Sequence, residues 1–429
     1  MAVMAFDTPP RARSKLLRYG LAASGSMAVA GSQFLLSLQL LHAVDAEEFG
    51  RFSFLLIASQ LSFGISSALL CAPYPIQLAR KDLPDSDIRR QFFSANLVLS
   101  LIAAIAFFAL AVAIGLRTDI AAIFGAYGGV MLLRWFARAA AYADGQPLRT
   151  TGSDIVYGIT LLSAVAAMLA MAAPSLLVGY AALLVSAVLA LFSFGWRFVK
   201  DQFLRVSLAG LASYRSVWKI HAKWSLLGVI TTEATANAHA YIIVLIGGPA
   251  AFAPIAASAL LIRPIALAMN ALTDFERPQM ARHLARGGAP AMGAPLLFFR
   301  SVLSAVWGGC AVLAVLVVLY WPEVVFPDRY EFTHLVMAAV IWFLIAYVRI
   351  LRTPESVMLQ AAGQFRPLAH ASLVSFGVSI AAVLCILQVA NPILSLCGIL
   401  LGECVFAQQI WSRARRWLRG RNGQEARGI

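Results

Sequence analysis

Charge is what this sequence is short of. Asp, Glu, Lys and Arg make up 13% of its 429 residues, against roughly 25% in an average soluble domain. A chain of this length needs far more polar side chains to cover itself in water, so a soluble fold is excluded. Cysteine is scarce too: Cys71, Cys310, Cys385, Cys397 and Cys404 sit singly in apolar runs, with no CxxC pair and no neighbouring metal-ligand set. They read as small, buried packing side chains. No Walker loop, Gly-rich nucleotide fingerprint or metal motif is present, which argues against ATP-driven pumping within one chain and implies no cofactor.

What the sequence has is apolar length. Hydrophobic residues make up 61% of the chain and the mean hydropathy is +0.79. A spanning helix needs roughly 20 mainly apolar residues. Runs that meet this lie at about 18–44, 51–79, 92–116, 119–143, 154–173, 175–199, 222–247, 250–273, 296–321, 333–358, 367–389 and 392–412. The predicted fold is an all-α integral membrane protein of about twelve transmembrane helices. The first run exceeds the roughly 7–15 residue core of a signal peptide and reads as an uncleaved span.

The formal charge of +14 is not a nucleic-acid signature, because the basic residues fall in short clusters between apolar runs. With the N-terminus in the cytoplasm, 30 of the 34 Lys and Arg residues lie on the inner side. The exceptions are Arg51, Arg117 and Arg329 outside, and Arg263 within a span. This is the positive-inside pattern of a multi-pass protein of the cytoplasmic membrane with both termini cytoplasmic. Between residues 200 and 222, Leu204, Leu208, Leu211 and Trp218 share one helical face among Arg205, Arg215 and Lys219. That predicts a basic amphipathic helix on the inner membrane surface. It divides the chain into six-helix halves, 1–205 and 206–429.

Three patches carry a family resemblance. The first outer turn reads Val44-Asp45-Ala46-Glu47-Glu48-Phe49-Gly50-Arg51. The eighth run holds Ala253-Pro254-Ile255-Ala256-Ala257, Arg263-Pro264 and Asn270-Ala271, and ends at Pro278-Gln279-Met280-Ala281-Arg282. Before the eleventh stands Gln360-Ala361-Ala362-Gly363-Gln364-Phe365-Arg366. Together these resemble polysaccharide flippases of the multidrug/oligosaccharidyl-lipid/polysaccharide (MATE-like) superfamily. The resemblance implies two six-helix bundles around a central cavity. It also implies translocation of a lipid-linked oligosaccharide between leaflets.

Ionisable groups at mid-bilayer cost about 2.5–3.5 kcal/mol and so need a partner or a wet cavity. Glu233 and Arg263 each lie about 20 Å from the outer face at 1.5 Å per residue, on consecutive spans, which makes an ion pair between them an expectation. Arg263 heads a stripe with Asn270 and Asp274, and Glu233 shares a face with Asn237 and Tyr241. Arg134 is expected to face a cavity, while Arg138 can reach the interface. Gln33 and Gln60 suit interhelical hydrogen bonds or substrate contact. Glu403 reads equally as a proton site, an arginine's partner or a protonated packing residue. His239, off the Glu233 face, is expected to pack. The spacings Gly125-xxx-Gly129 and Gly398-xxx-Gly402 predict close helix contact.

Three functions fit a chain of this kind. A flippase for a polyprenyl-phosphate- or pyrophosphate-linked glycan suits embedded arginines, which grip phosphate oxygens bidentately. Its expected partners are that glycan, membrane lipids and either protons or sodium. A drug/cation antiporter of the same superfamily calls for a cavity dominated by acidic groups. A membrane-embedded polymerase or ligase needs sizeable outer loops, and none is evident.

Overall fold

A computed structural model of the chain describes residues 12–80, 84–171, 174–287, 292–327 and 330–425. The charged residues Arg11, Arg13, Lys15, Arg18, Arg80, Lys81, Asp274, Arg282, Arg286, Asp328, Arg329, Arg421 and Arg427 fall outside the described residues or side chains.

The described chain is helical throughout, with no strand among those residues. α1 (Ala12–Ala43) turns directly into α2 (Ala46–Ser66). Asp45 starts α2: its Oδ1 accepts from the Glu48 backbone N–H at 2.7 Å, satisfying a donor that the first turn leaves open. A π-helical turn, Ser67–Cys71, leads into α3 (Pro73–Arg80). α4 (Asp85–Ala113), α5 (Thr118–Ala143), α6 (Pro147–Ala170) and α7 (Leu176–Phe192) follow through short turns. The linker forms two short helices, α8 (Trp196–Leu204) and α9 (Leu208–Val217), rather than the single one expected, because the chain breaks at 205–207. Ser207 caps α9 by accepting from the Gly210 N–H at 3.0 Å. A second π-helical turn, Trp218–Ala222, opens α10 (Lys223–Ala259). Then come α11 (Arg263–Gly287), α12 (Gly293–Tyr320), α13 (Pro322–Val325), α14 (Phe332–Ala361), α15 (Phe365–Val389) and α16 (Ser395–Glu425).

Among the described residues, nine helical stretches are long and apolar enough to cross a membrane, ten when the bent pair α7–α8 is included. The remaining two of the expected twelve have physical explanations. The described apolar part of α1, Met27–Ala43, is shorter than a full crossing. The stretch Asn237–Asn270 is one apolar run folded back on itself. Gly248 breaks the helix with φ 75° and ψ 172°, a conformation that costs glycine little. The His239 and Phe252 rings lie 6.3 Å apart, whereas thirteen residues of straight helix would hold them about 20 Å apart. The chain therefore reverses at Gly248-Pro249, and α10 comprises two limbs.

α1 packs on α6, α4 on α5, and α7 on both α5 and α6. In the second half α16 packs on α14 and α15, while α11 packs on α14. The halves meet where α2 runs along α10 and α1 touches α11. Along that seam α2 is antiparallel to the first limb of α10: Gly64 faces Val229 and Gly50 faces Pro249. A Cβ on Gly50 would stand 1.9 Å from the Pro249 carbonyl oxygen, so only glycine permits this approach. Phe54 meets Tyr241 edge-on at 5.4 Å in the same seam. The His42 Nε2 lies 2.8 Å from the Glu323 carbonyl oxygen near the end of α1. The halves are thus closed together at the end bearing Asp45 and Pro249.

Both GxxxG spacings lie at close helix contacts. Cβ atoms on Gly125 and Gly129 would meet α4 at 2.7 and 3.1 Å, and on Gly398 and Gly402 would meet α15 at 2.7 and 2.6 Å. The cysteines depart from expectation: Cys385 and Cys404 are exposed and the other three half-buried. A thiol on an outer helix face meets lipid as readily as protein in a chain of this composition.

Candidate substrate site at the seam of the two halves

Each half contains one buried carboxylate shared by two arginines. In the first half Asp154 of α6 accepts from Arg134 Nη2 at 2.5 Å through Oδ1 and from Arg138 Nη2 at 2.9 Å through Oδ2. Arg134 and Arg138 are four residues apart on α5, so one helical face presents both guanidiniums to α6. Arg134 also donates through Nε to Ser153 Oγ at 3.1 Å and lies 4.9 Å over the Tyr157 ring. Gln33 of α1 donates to the Tyr157 hydroxyl at 3.1 Å, the interhelical bond its depth suggested. The Arg134 side chain is 1% exposed. It stands inside the first bundle, saturated by Asp154, and does not face a cavity, contrary to the expectation above.

The second half repeats the device on different helices. Glu403 of α16 accepts from Arg349 Nε at 2.7 Å and from Arg352 Nε at 3.0 Å, both on α14. Arg352 lies 4.3 Å over the Phe406 ring. Of the three readings open for Glu403, the structure selects the arginine's partner. Arg349 and Arg352, counted by their charge with the inner-side cluster at the end of the run 333–358, lie within α14 and turn into the bundle.

At the seam itself stand Arg263 and Glu233, and they do not meet. Arg263 donates through Nη1 to Ser37 Oγ of α1 at 3.0 Å, reaching from one half to the other. Glu233 accepts from Asn237 Nδ2 at 3.0 Å and packs beside Gly64 of α2. The expected ion pair fails for a geometric reason: Arg263 points toward α1, whereas Glu233 points toward α2. Among the described residues no carboxylate pairs with Arg263. Asp274, expected on its stripe, has its side chain outside the described set. Asn270 and Gln60 are exposed on α11 and α2. His239 packs as expected, 5.4 Å from the Trp342 ring.

Near the opposite end a cleft of about 570 Å³ opens between α11 and α12, lined by Glu276, Gln279, His283 and Phe298 among others. Burial pushes the Glu276 carboxyl above its ordinary range, and the nearby His283 offsets part of that. No group of His, Cys, Asp and Glu that could hold a metal ion occurs among the described residues.

Sequence signals existed for the two clamps. Arg134/Arg138 and Arg349/Arg352 are i,i+4 and i,i+3 pairs inside apolar helices, each with a lone acid on another helix. Their pairing needed the packing of α5 on α6 and of α14 on α16.

Neither a protein-family model nor a curated protein sequence matches the chain. Solved structures do. A multidrug-resistance MATE family transporter of the MOP superfamily, in an inward-facing conformation, matches with TM-score 0.67 and 13% identity, over 94% of this chain and 98% of that one. An outward-facing MATE transporter matches with TM-score 0.61 at 14% identity, over 94% and 95%. A MOP superfamily transporter from Pyrococcus furiosus matches at the same score, identity and coverage, and its binding pocket is described as of reverse polarity, suggesting a different function. Over nearly its whole length, then, this chain has the fold of the MATE transporters of the MOP superfamily.

Proposed function

We propose that this protein is a transporter that moves a lipid-linked oligosaccharide, carried on a polyprenyl phosphate or pyrophosphate, across the cytoplasmic membrane for polysaccharide biosynthesis. The observation that carries this reading is Arg263. Five other arginines embedded in the helices are held by acids: Arg134 and Arg138 by Asp154, Arg349 and Arg352 by Glu403, Arg300 by Glu355. Arg263 stands at the seam with only a hydroxyl partner across it. An uncompensated guanidinium in a low-dielectric interior is costly, and an anionic headgroup arriving there relieves that cost. The planar fork then grips two phosphate oxygens at once. Gln60 and Asn270, exposed on α2 and α11, supply hydrogen bonds for sugar hydroxyls, and the lipid tail stays in the bilayer.

Glu233 serves as the coupling group in this reading, binding a proton or sodium. Asp154 and Glu403 are each committed to two arginines, whereas among the described residues Glu233 accepts from Asn237 alone. That same carboxylate favours a second reading, a drug/cation antiporter, which the multidrug MATE neighbours also support. The two are separated by Arg263→Lys and Arg263→Ala. The flippase reading expects Lys to lose most transport, because a point charge cannot reproduce the fork. It expects Ala to abolish transport at normal membrane abundance, measured by complementation of surface-polysaccharide production. Full polysaccharide production by Arg263→Ala, with cationic dye efflux that Glu233→Gln abolishes, would establish the antiporter instead.

A further inference from the structure

The linker between the halves exposes a surface that the transport cycle leaves unexplained. α8 bends 97° from α7, so a helix leaving a span lies across the end of the bundle. At 100° per residue, its exposed side chains Trp196, Arg197, Lys200, Phe203 and Leu204 fall within an arc of about 120°. The opposite arc buries Val199 and Gln202, and Gln202 Nε2 donates to the Leu133 carbonyl of α5 at 3.2 Å. α9 with the turn after it repeats the design. Leu208, Leu211, Arg215, Trp218 and Lys219 occupy one exposed arc, while Gly210 and Val217 face α4 and the bundle. Two helices in succession thus each present three large apolar side chains and two bases on one side.

We infer that this α8–α9 face is a binding surface for anionic phospholipid headgroups of the leaflet on which it lies. The exposures are large: Leu208 is 86% exposed, Leu204 68% and Trp196 66%. A face this apolar calls for hydrocarbon, yet its bases exclude burial in the acyl core, and the headgroup boundary satisfies both demands. Tryptophan at either end of the segment fits that depth. Charge complementarity selects the lipid. Asp201 is the one acid from 196 to 219 and is taken by Arg205 at 3.2 Å, so Arg197, Lys200, Arg215 and Lys219 face outward with no acid of the segment left for them. The surface is fastened to the first bundle, because the Ser207 N–H donates to Ser94 Oγ at 3.0 Å. The Tyr214 hydroxyl donates at 2.5 Å to the Leu69 carbonyl in the first π-helical turn. The leaflet would therefore hold the first half, and relative motion would be left to the π-helical turn Trp218–Ala222 and α10.

The full-length protein in phosphatidylcholine nanodiscs tests this, with brominated phosphatidylglycerol or brominated phosphatidylcholine added at equal mole fraction. The quenching of Trp196 and Trp218 is the difference between the wild type and Trp196→Phe/Trp218→Phe. The expected result is at least about twofold more quenching by the brominated phosphatidylglycerol, since each base near the surface favours the anionic lipid. That excess should vanish at high salt and in Arg197→Gln/Lys200→Gln/Arg215→Gln/Lys219→Gln. Equal quenching by the two lipids in the wild type would overturn the headgroup preference. Absence of quenching by either lipid would overturn the membrane placement and leave an acidic protein as the occupant. Neither failure touches the substrate reading, which rests on Arg263.

Discussion

Replacing Asp154 by Asn isolates what one buried carboxylate does for two arginines. The substitution keeps the shape of the side chain and removes the charge that Arg134 and Arg138 share at 2.5 and 2.9 Å. Breaking a buried pair from one side costs about 3–5 kcal/mol, because the partner charge stays behind uncompensated. The two partners are not equivalent. Arg138 is 17% exposed and can turn its guanidinium toward the interface. Arg134 is 1% exposed and enclosed by Ser153 and Tyr157, so it has nowhere to go. Nearly all of the cost should therefore come from Arg134, and rescue should be lopsided. Asp154→Asn/Arg134→Met should recover most of the loss, whereas Asp154→Asn/Arg138→Met should remain close to the single variant. Thermal unfolding of the purified protein in detergent, followed by the surviving monodisperse fraction, ranks the four proteins. Equal rescue by either arginine replacement would refute the assignment of the cost to burial. So would a loss below about 1 kcal/mol for Asp154→Asn alone.

Gly50→Ala should open the seam at its closed end, since a Cβ 1.9 Å from the Pro249 carbonyl oxygen forces two backbones apart. Faster amide hydrogen exchange over residues 245–252 is the expected result, and unchanged exchange there would refute the contact. Glu233→Gln and Arg263→Gln should affect membrane abundance additively, within about 0.5 kcal/mol, because the residues have separate partners. A coupling well above that on a double-mutant cycle would restore the ion pair that this structure lacks. Reporter fusions after residues 148 and 210 should score cytoplasmic and one near residue 46 external, as the basic clusters require. An inverted reporter at any of these would break the orientation.

Lipid as the solvent, helix as the only backbone solution and the tally of passages were all legible in the residues. Composition and run length suffice for them, because an unpaired backbone group in hydrocarbon is prohibitive and leaves few alternatives. The Gly248-Pro249 reversal was likewise marked by residue type, since glycine and proline act through local backbone geometry. Partnership was not. Arg349 and Arg352 look like inner-side charges near the end of the run 333–358, and Asp154 looks like the polar edge of a span. Hydropathy reports that a charge lies near a span's end but not whether that charge is buried. Which acid neutralises which arginine depends on the rotation and packing of α5 on α6 and of α14 on α16. That rotation is a sum over many weak side-chain contacts far apart in the chain. The same packing turned Arg263 toward Ser37 and away from Glu233. Local spacing determined where along its helix each charge sits; only the packed bundles decided what each charge faces.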